Sequence, residues 1–235
     1  MYIADQFRES DSDAINALIR HFPLATVVLC DVDGIPQANH YPLLLEVDAA
    51  ADQKLCGHLP KYHASELFYA QAHSALAIFQ GPSAYVSPSF YPSKALTGKV
   101  VPTWNYLVVH ARGILTLIDD PTWLHAHLDA MTMQMESTRP SPWKMADAPA
   151  EFTRLLQSTI FGFEIAIESI EAKFKSSQNK SKADREGVRT GLDMQKCSAP
   201  PNVWIPSERL KISEWSFEVP DKSLPGRQSA IHLGW

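Results

Sequence analysis

Residues 79–106 read FQGPSAYVSPSFYPSKALTGKVVPTWNY, with six aromatics, four prolines, four serines and two lysines in 28 positions and no acidic side chain. Aromatic and β-branched residues favour a pleated, half-buried surface, and the Gly81-Pro82 step is a turn signal, so the stretch reads as parts of a β core. The same residue types also suit the wall of a site for a flat, anionic ligand. Rings and Pro-stiffened backbone fit a planar heterocycle, hydroxyls and backbone N–H groups can bond its polar edge, and lysines can meet a phosphate.

On both sides of this stretch the strand signal continues. Segments 25–32, 35–46, 54–58, 75–80, 84–88 and 106–118 are rich in Val, Leu, Ile and aromatics, and Asp33-Gly34 and Gly81-Pro82 separate several of them as turns. Six strands with short links predict a closed barrel, mostly β with peripheral helices, hence an α+β fold. Ser10 or Ser12 can cap a short first helix carrying Ile15, Leu18 and Ile19 on one face. Residues 63–72 fit a helix crossing the barrel. Pro121 opens a clearer helix with Trp123, Leu124, Leu128 and Met131 on one side, and another spans 150–160. Phe163, Ile165, Ile167 and Ile170 nearly alternate, which makes a final strand leading into KFKSSQNK at 173–180. Residues 182–192 then read as a helix with Gly191 at its end.

The chain has 235 residues, 45% of them hydrophobic, and a net charge of −5. A core of useful size follows, most simply one domain plus an appendage. The acidic balance argues against charge-driven DNA binding, and no helix-turn-helix pattern is visible, so DNA as a partner has no support from charge or motif. Nowhere do 18 apolar residues run together, and MYIADQFRES has neither a basic start nor an apolar stretch; a cytoplasmic protein with no membrane segment is expected. Cys30, Cys56 and Cys197 lack CxxC spacing, which fits reduced thiols rather than a disulfide or zinc site. His125 and His127 form an HxH pair, but two residues apart on a helix they face different sides, so no metal site is assigned. Between 171 and 189, Lys173, Lys175, Lys180, Lys182, Arg185 and Arg189 outnumber Glu171, Asp184 and Glu186. This basic patch reads as an anion seat or a solvated helix face.

Four motifs, GPSAYVSPSFYPSK, VPTWNY, VVHARG and IEAKFKSSQNK, resemble in order and spacing the PaiB-like family of FMN-binding negative transcriptional regulators, over residues 1 to about 192. The resemblance implies the six-stranded FMN-binding split β-barrel also seen in pyridoxamine phosphate oxidases, working as a homodimer with FMN at its interface. It implies a domain over 1–195, with 196–235 as a Pro- and Trp-containing extension. The 57–63 stretch, GHLPKYH, stands where split barrels bind phosphate and makes Lys61 the first candidate contact; His63 replaces the family's usual Asn. Thr103, Trp104, Asn105 and Tyr106 match VPTWNY without departure. Asn105 and Thr103 can read the ring edge, and Trp104 can pack on its face. Lys173, Lys175, Gln178 and Asn179 match the family's KFKLSQNR and are expected to complete a site whose barrel residues come from the other subunit. No catalytic residue is assigned. The alternative function is an FMN-dependent oxidoreductase or flavin reductase of the pyridoxamine phosphate oxidase-like superfamily.

Overall fold

The computed structural model describes residues 1–31, 33–48, 52–67 and 72–196. Among these residues, eight strands form one antiparallel sheet: β1 (Arg8–Glu9), β2 (Leu24–Cys30), β3 (Pro36–Pro42), β4 (Leu44–Val47), β5 (Gln53–Pro60), β6 (Ala72–Val86), β7 (Thr103–Ile118) and β8 (Ile160–Lys175). Their spatial order is β3-β2-β6-β7-β8-β5-β4, with β1 added along β8. The two end strands, β3 and β4, are consecutive in the chain and separated only by Leu43, whose N–H donates to the Pro23 carbonyl at 2.8 Å. A sheet whose edges are one covalent segment must curl back on itself, which gives the barrel. The fold is thus mostly β with helices outside it, as the strand pattern predicts.

The six expected segments and the expected final strand become eight strands because β1 is added and two stretches divide differently. Segment 35–46 breaks at Leu43, which is 1% exposed, and becomes two strands that serve opposite edges. Segments 75–80 and 84–88 fuse instead. Gly81-Pro82 is no turn: pairing with β7 shifts register between Gln80 and Ser83, so the extra residues form a bulge inside one 15-residue strand. Asp33-Gly34 does turn the chain between β2 and β3, with Gly34 at φ +77°, a left-handed conformation that glycine adopts without strain.

Inward-facing residues alternate along each strand and meet in one core. Val27, Leu55, Ala77, Phe79, Leu107, Val109, Ala111, Leu115, Phe163 and Ile165 are all fully buried. Helix α1 (Ser12–His21) adds Leu18 and Ile19 to it. Its N-cap is Asp11 rather than Ser10 or Ser12; the carboxylate accepts the Asp13 N–H at 3.0 Å. Asp11→Ala should therefore cost about 1 kcal/mol in urea unfolding, whereas Ser10→Ala and Ser12→Ala should leave the midpoint unchanged.

The remaining α-helices among the described residues are α2 (Lys61–Leu67), α3 (Ser93–Thr97), α4 (Pro121–Glu136), α5 (Ala150–Gln157) and α6 (Lys182–Lys196). Helix α2 starts two residues before the expected 63, since Gly57 to Pro60 still belong to β5. Gly191 is not the end of α6 but lies within it, where an added Cβ would sit 2.4 Å from the Phe90 ring. Close approach, not helix termination, is what this glycine provides. Of the thiols, Cys30 is free and exposed and Cys56 free and buried. Cys197 and the 196–235 extension, apart from Lys196 at the end of α6, lie outside the described residues.

Candidate functional site

The two motifs expected to come from different subunits meet within one chain. Strands β7 and β8 pair in a register that sets Tyr106 opposite Lys175, so VPTWNY and KFKSSQ begin and end the same ladder. The Lys175 ammonium donates to Thr103 Oγ1 and to the Trp104 carbonyl, both at 2.5 Å. Lys173 lies between two rings, 5.4 Å from that of Tyr106 and 5.7 Å from that of Tyr2, and donates to the Tyr2 carbonyl at 3.3 Å. Trp104 is 55% exposed and meets the 45% exposed Tyr85 edge-on at 5.9 Å, so two aromatic surfaces stand open at this rim.

The lysines here make no direct ion pair, although Lys180 acts on Asp184 from farther away. Among the described residues, Lys173, Lys175 and Lys180 form no ion pair, while Arg189, from the same basic stretch, pairs with Glu186. Burial and the neighbouring charges of Lys173 and Lys180 push the Lys175 ammonium below its ordinary pKa. Three lysines held together without a direct ion pair are stabilised by an anion, which would relieve both the burial and the mutual repulsion that lower the Lys175 pKa.

Other motif residues are internally committed. Asn105 is 1% exposed, and Ser177 Oγ lies 3.0 Å from its Nδ2 and 3.1 Å from its Oδ1. Gln178 Oε1 accepts from the Ser176 N–H at 2.7 Å, and its Nε2 donates to the carbonyls of Phe174 at 2.5 Å and Gln6 at 3.2 Å. Asn179 is exposed on the turn that follows.

Lys61 and His63 are elsewhere. Lys61 opens α2, and its N–H donates to the Thr159 carbonyl, beside the first residue of β8. Lys175 is the last residue of that 16-residue strand, about 50 Å away along the strand at roughly 3.3 Å per residue. The Lys61 ammonium pairs with the exposed Asp119 at 3.4 Å and sits 4.6 Å from the Phe161 ring centre. His63 shares a 3.0 Å hydrogen bond with the Tyr41 hydroxyl.

Sequence reasoning missed Tyr2, Phe7 and Tyr85. The first two come from the N-terminal segment, which β1 clips onto β8 at Lys173 and Ala172, and which places the Phe7 ring 5.9 Å from the Lys175 ammonium. Nothing in MYIADQF carries a periodic signal that could have revealed this.

A second polar cluster lies on the outer face of β5 under α4. His127 is 3% exposed, stacks on Trp123 at 5.1 Å and lies 3.3 Å from His58 Nδ1. Trp123 Nε1 donates to Glu164, which also holds Lys54 at 2.5 Å. His125 points the other way, to Gln157. Among the described residues no group of three or more His, Cys, Asp or Glu side chains is placed to hold a metal, and no helix is long and apolar enough to cross a membrane.

The barrel is of the split-barrel type, with open rings and clustered lysines at its rim. Residues 1–169 match the family model described as "Putative FMN-binding domain", and the chain belongs to that family. It is 31% identical over 227 residues to an uncharacterized protein of Emericella nidulans, covering 82% of this chain and 90% of the relative. It is 30% identical over 193 residues to the protease synthase and sporulation protein PAI 2 of Bacillus subtilis, covering 80% and 87%. Among solved structures, the FAD and heme binding protein from Mycobacterium smegmatis aligns with a TM-score of 0.51 at 19% identity, covering 72% of this chain and 73% of that one. The flavocytochrome Anf3 from Azotobacter vinelandii aligns with a TM-score of 0.50 at 14% identity, covering 95% and 89%. These last two establish the fold.

FMN is the cofactor of this family, and the rim fits it: unpaired ammonium groups suit the phosphate, and the exposed faces of Trp104 and Tyr85 suit the ring system. The groove between Phe90 and α6 fits less well, since its lining includes Glu186 and none of the three lysines.

Proposed function

We propose that the protein is a cytoplasmic FMN-holding regulator of the PaiB type, which works as a homodimer and acts through protein contacts rather than by reading DNA. The observation that carries this reading is the trio Lys173, Lys175 and Lys180, without ion-pair partners, beside the open Tyr85–Trp104 pair. These residues take the phosphate and one ring face; Lys61 and His63 of a second copy close the other side. Two features support the second copy. No single chain brings Lys61 and Lys175 together, and β2, β6 and β7 carry the incompletely buried Val28, Leu76, Ile78 and Val108 on their outer face, an apolar surface suited to a partner. Bound FMN supplies a reversible electron acceptor. This chain's residues hold it, neutralise its phosphate and shield its ring. The net charge of −5 supports regulation without a DNA-reading face.

The test is an absorbance spectrum of the freshly purified protein, with mass analysis of what it releases on denaturation. A flavin band and a released FMN are expected. A colourless protein that stays colourless after incubation with FMN would overturn the reading.

A further inference from the structure

We infer that Asn105 and Ser177 are positioning residues, which lock the turn after β8 and so fix where Lys175 and Lys180 present their charges, without touching the ligand themselves. The inference deepens the flavin-binding reading and rests on it for the ligand's identity.

Asn105 occupies an inward position of β7, where the next residues on that face, Leu107, Val109 and Ala111, are all 0% exposed. An amide there costs desolvation unless it is bonded, and a leucine would fill the volume without that cost. Both ends of the amide are spent on one hydroxyl, that of Ser177. Ser177 carries a second cost, since it is the one non-glycine residue at positive φ among the described residues, at +65°. It is 3% exposed, so neither member of the pair has surface to offer a ligand.

Both costs fall where β8 leaves the ladder. Lys175 still pairs with Tyr106, the Ser177 carbonyl accepts the Lys180 N–H at 2.9 Å, and Gln178 ties the turn to Gln6 in the N-terminal segment. The turn therefore sets the spacing of Lys175 and Lys180, whose charges already act on each other. A buried polar contact bonded at both the amide nitrogen and the amide oxygen imposes one geometry where apolar packing would tolerate several.

Ser177→Gly relieves the left-handed backbone but leaves the buried Asn105 amide without its partner, so a merely structural role predicts a changed Tm with unchanged FMN binding. The positioning role predicts, in the folded variant, an FMN Kd raised about tenfold and faster acetylation of Lys175 by acetic anhydride in the flavin-free protein, relative to exposed Lys144. Asn105→Ala should raise Kd and Lys175 labelling in the same way. Wild-type Kd and wild-type Lys175 labelling in the glycine variant overturn the inference whether or not the alanine variant folds. If wild-type protein binds no FMN, the flavin reading falls on its own, and the labelling of Lys175 still decides whether Asn105 and Ser177 hold it in place.

Discussion

FMN titrated into the Lys175→Ala protein is expected to bind about 10- to 100-fold more weakly than to wild type, the loss that follows when one charge-assisted hydrogen bond to a phosphate is removed. Lys175 is half-buried and its ammonium is fixed by Thr103 and the Trp104 carbonyl. A lysine already oriented this way gives up little further rotamer freedom on binding, unlike a solvated one. Its two cationic neighbours raise the local potential, so the contact should also weaken as salt is added. Lys144→Ala removes the same charge from an exposed loop and should change Kd less than about threefold. Equal affinity of wild type and Lys175→Ala in fluorescence-quenching titrations would show that the phosphate lies elsewhere.

Acidification should destabilise the protein through His127. Burial, aided by the nearby His58, holds its pKa at about 4 against an ordinary 6.5. Above pH 6.5 the imidazole is neutral folded and unfolded, and the shift costs nothing. As pH falls below 6.5 the unfolded chain takes up a proton that the folded one refuses, so stability declines until about pH 4 and then levels off. At 1.36 kcal/mol per pH unit the loss approaches about 3 kcal/mol. His58, lowered by burial, adds in the same direction. Urea midpoints at pH 7 and pH 4.5 should differ markedly in wild type and less in His127→Phe, which keeps a ring against Trp123. Equal pH dependence in the two proteins would show that His127 is not the group responsible.

The barrel was legible because its inward residues alternate, and alternation survives without knowledge of neighbours. What the pattern could not carry was continuity. A bulge at Gly81-Pro82 and a turn at Asp33-Gly34 look alike as residue types, and only pairing with β7 makes the first a bulge. Leu43 is as apolar as the strands on either side of it, so nothing local marks where β3 hands over to β4. At the site, the family motifs named Thr103, Trp104, Lys173 and Lys175, and the structure sets them side by side. The motifs could not distinguish an amide that faces a ligand from one that faces inward. Asn105 and Gln178 have the donors and acceptors to read a ring edge, yet both spend them inside the chain. Nor could spacing show that Asp119, 58 residues after Lys61, neutralises it.

Cross-subunit sharing of the flavin is tested most directly by mixing. Lys61→Ala and Lys175→Ala proteins, each expected to bind FMN weakly alone, are unfolded together, refolded and titrated. If each site takes Lys61 from one copy and Lys175 from the other, random re-pairing restores about a quarter of the tight sites. A mixture that binds no better than its two components, or tight binding by Lys61→Ala alone, would contradict a flavin held between two copies of the chain.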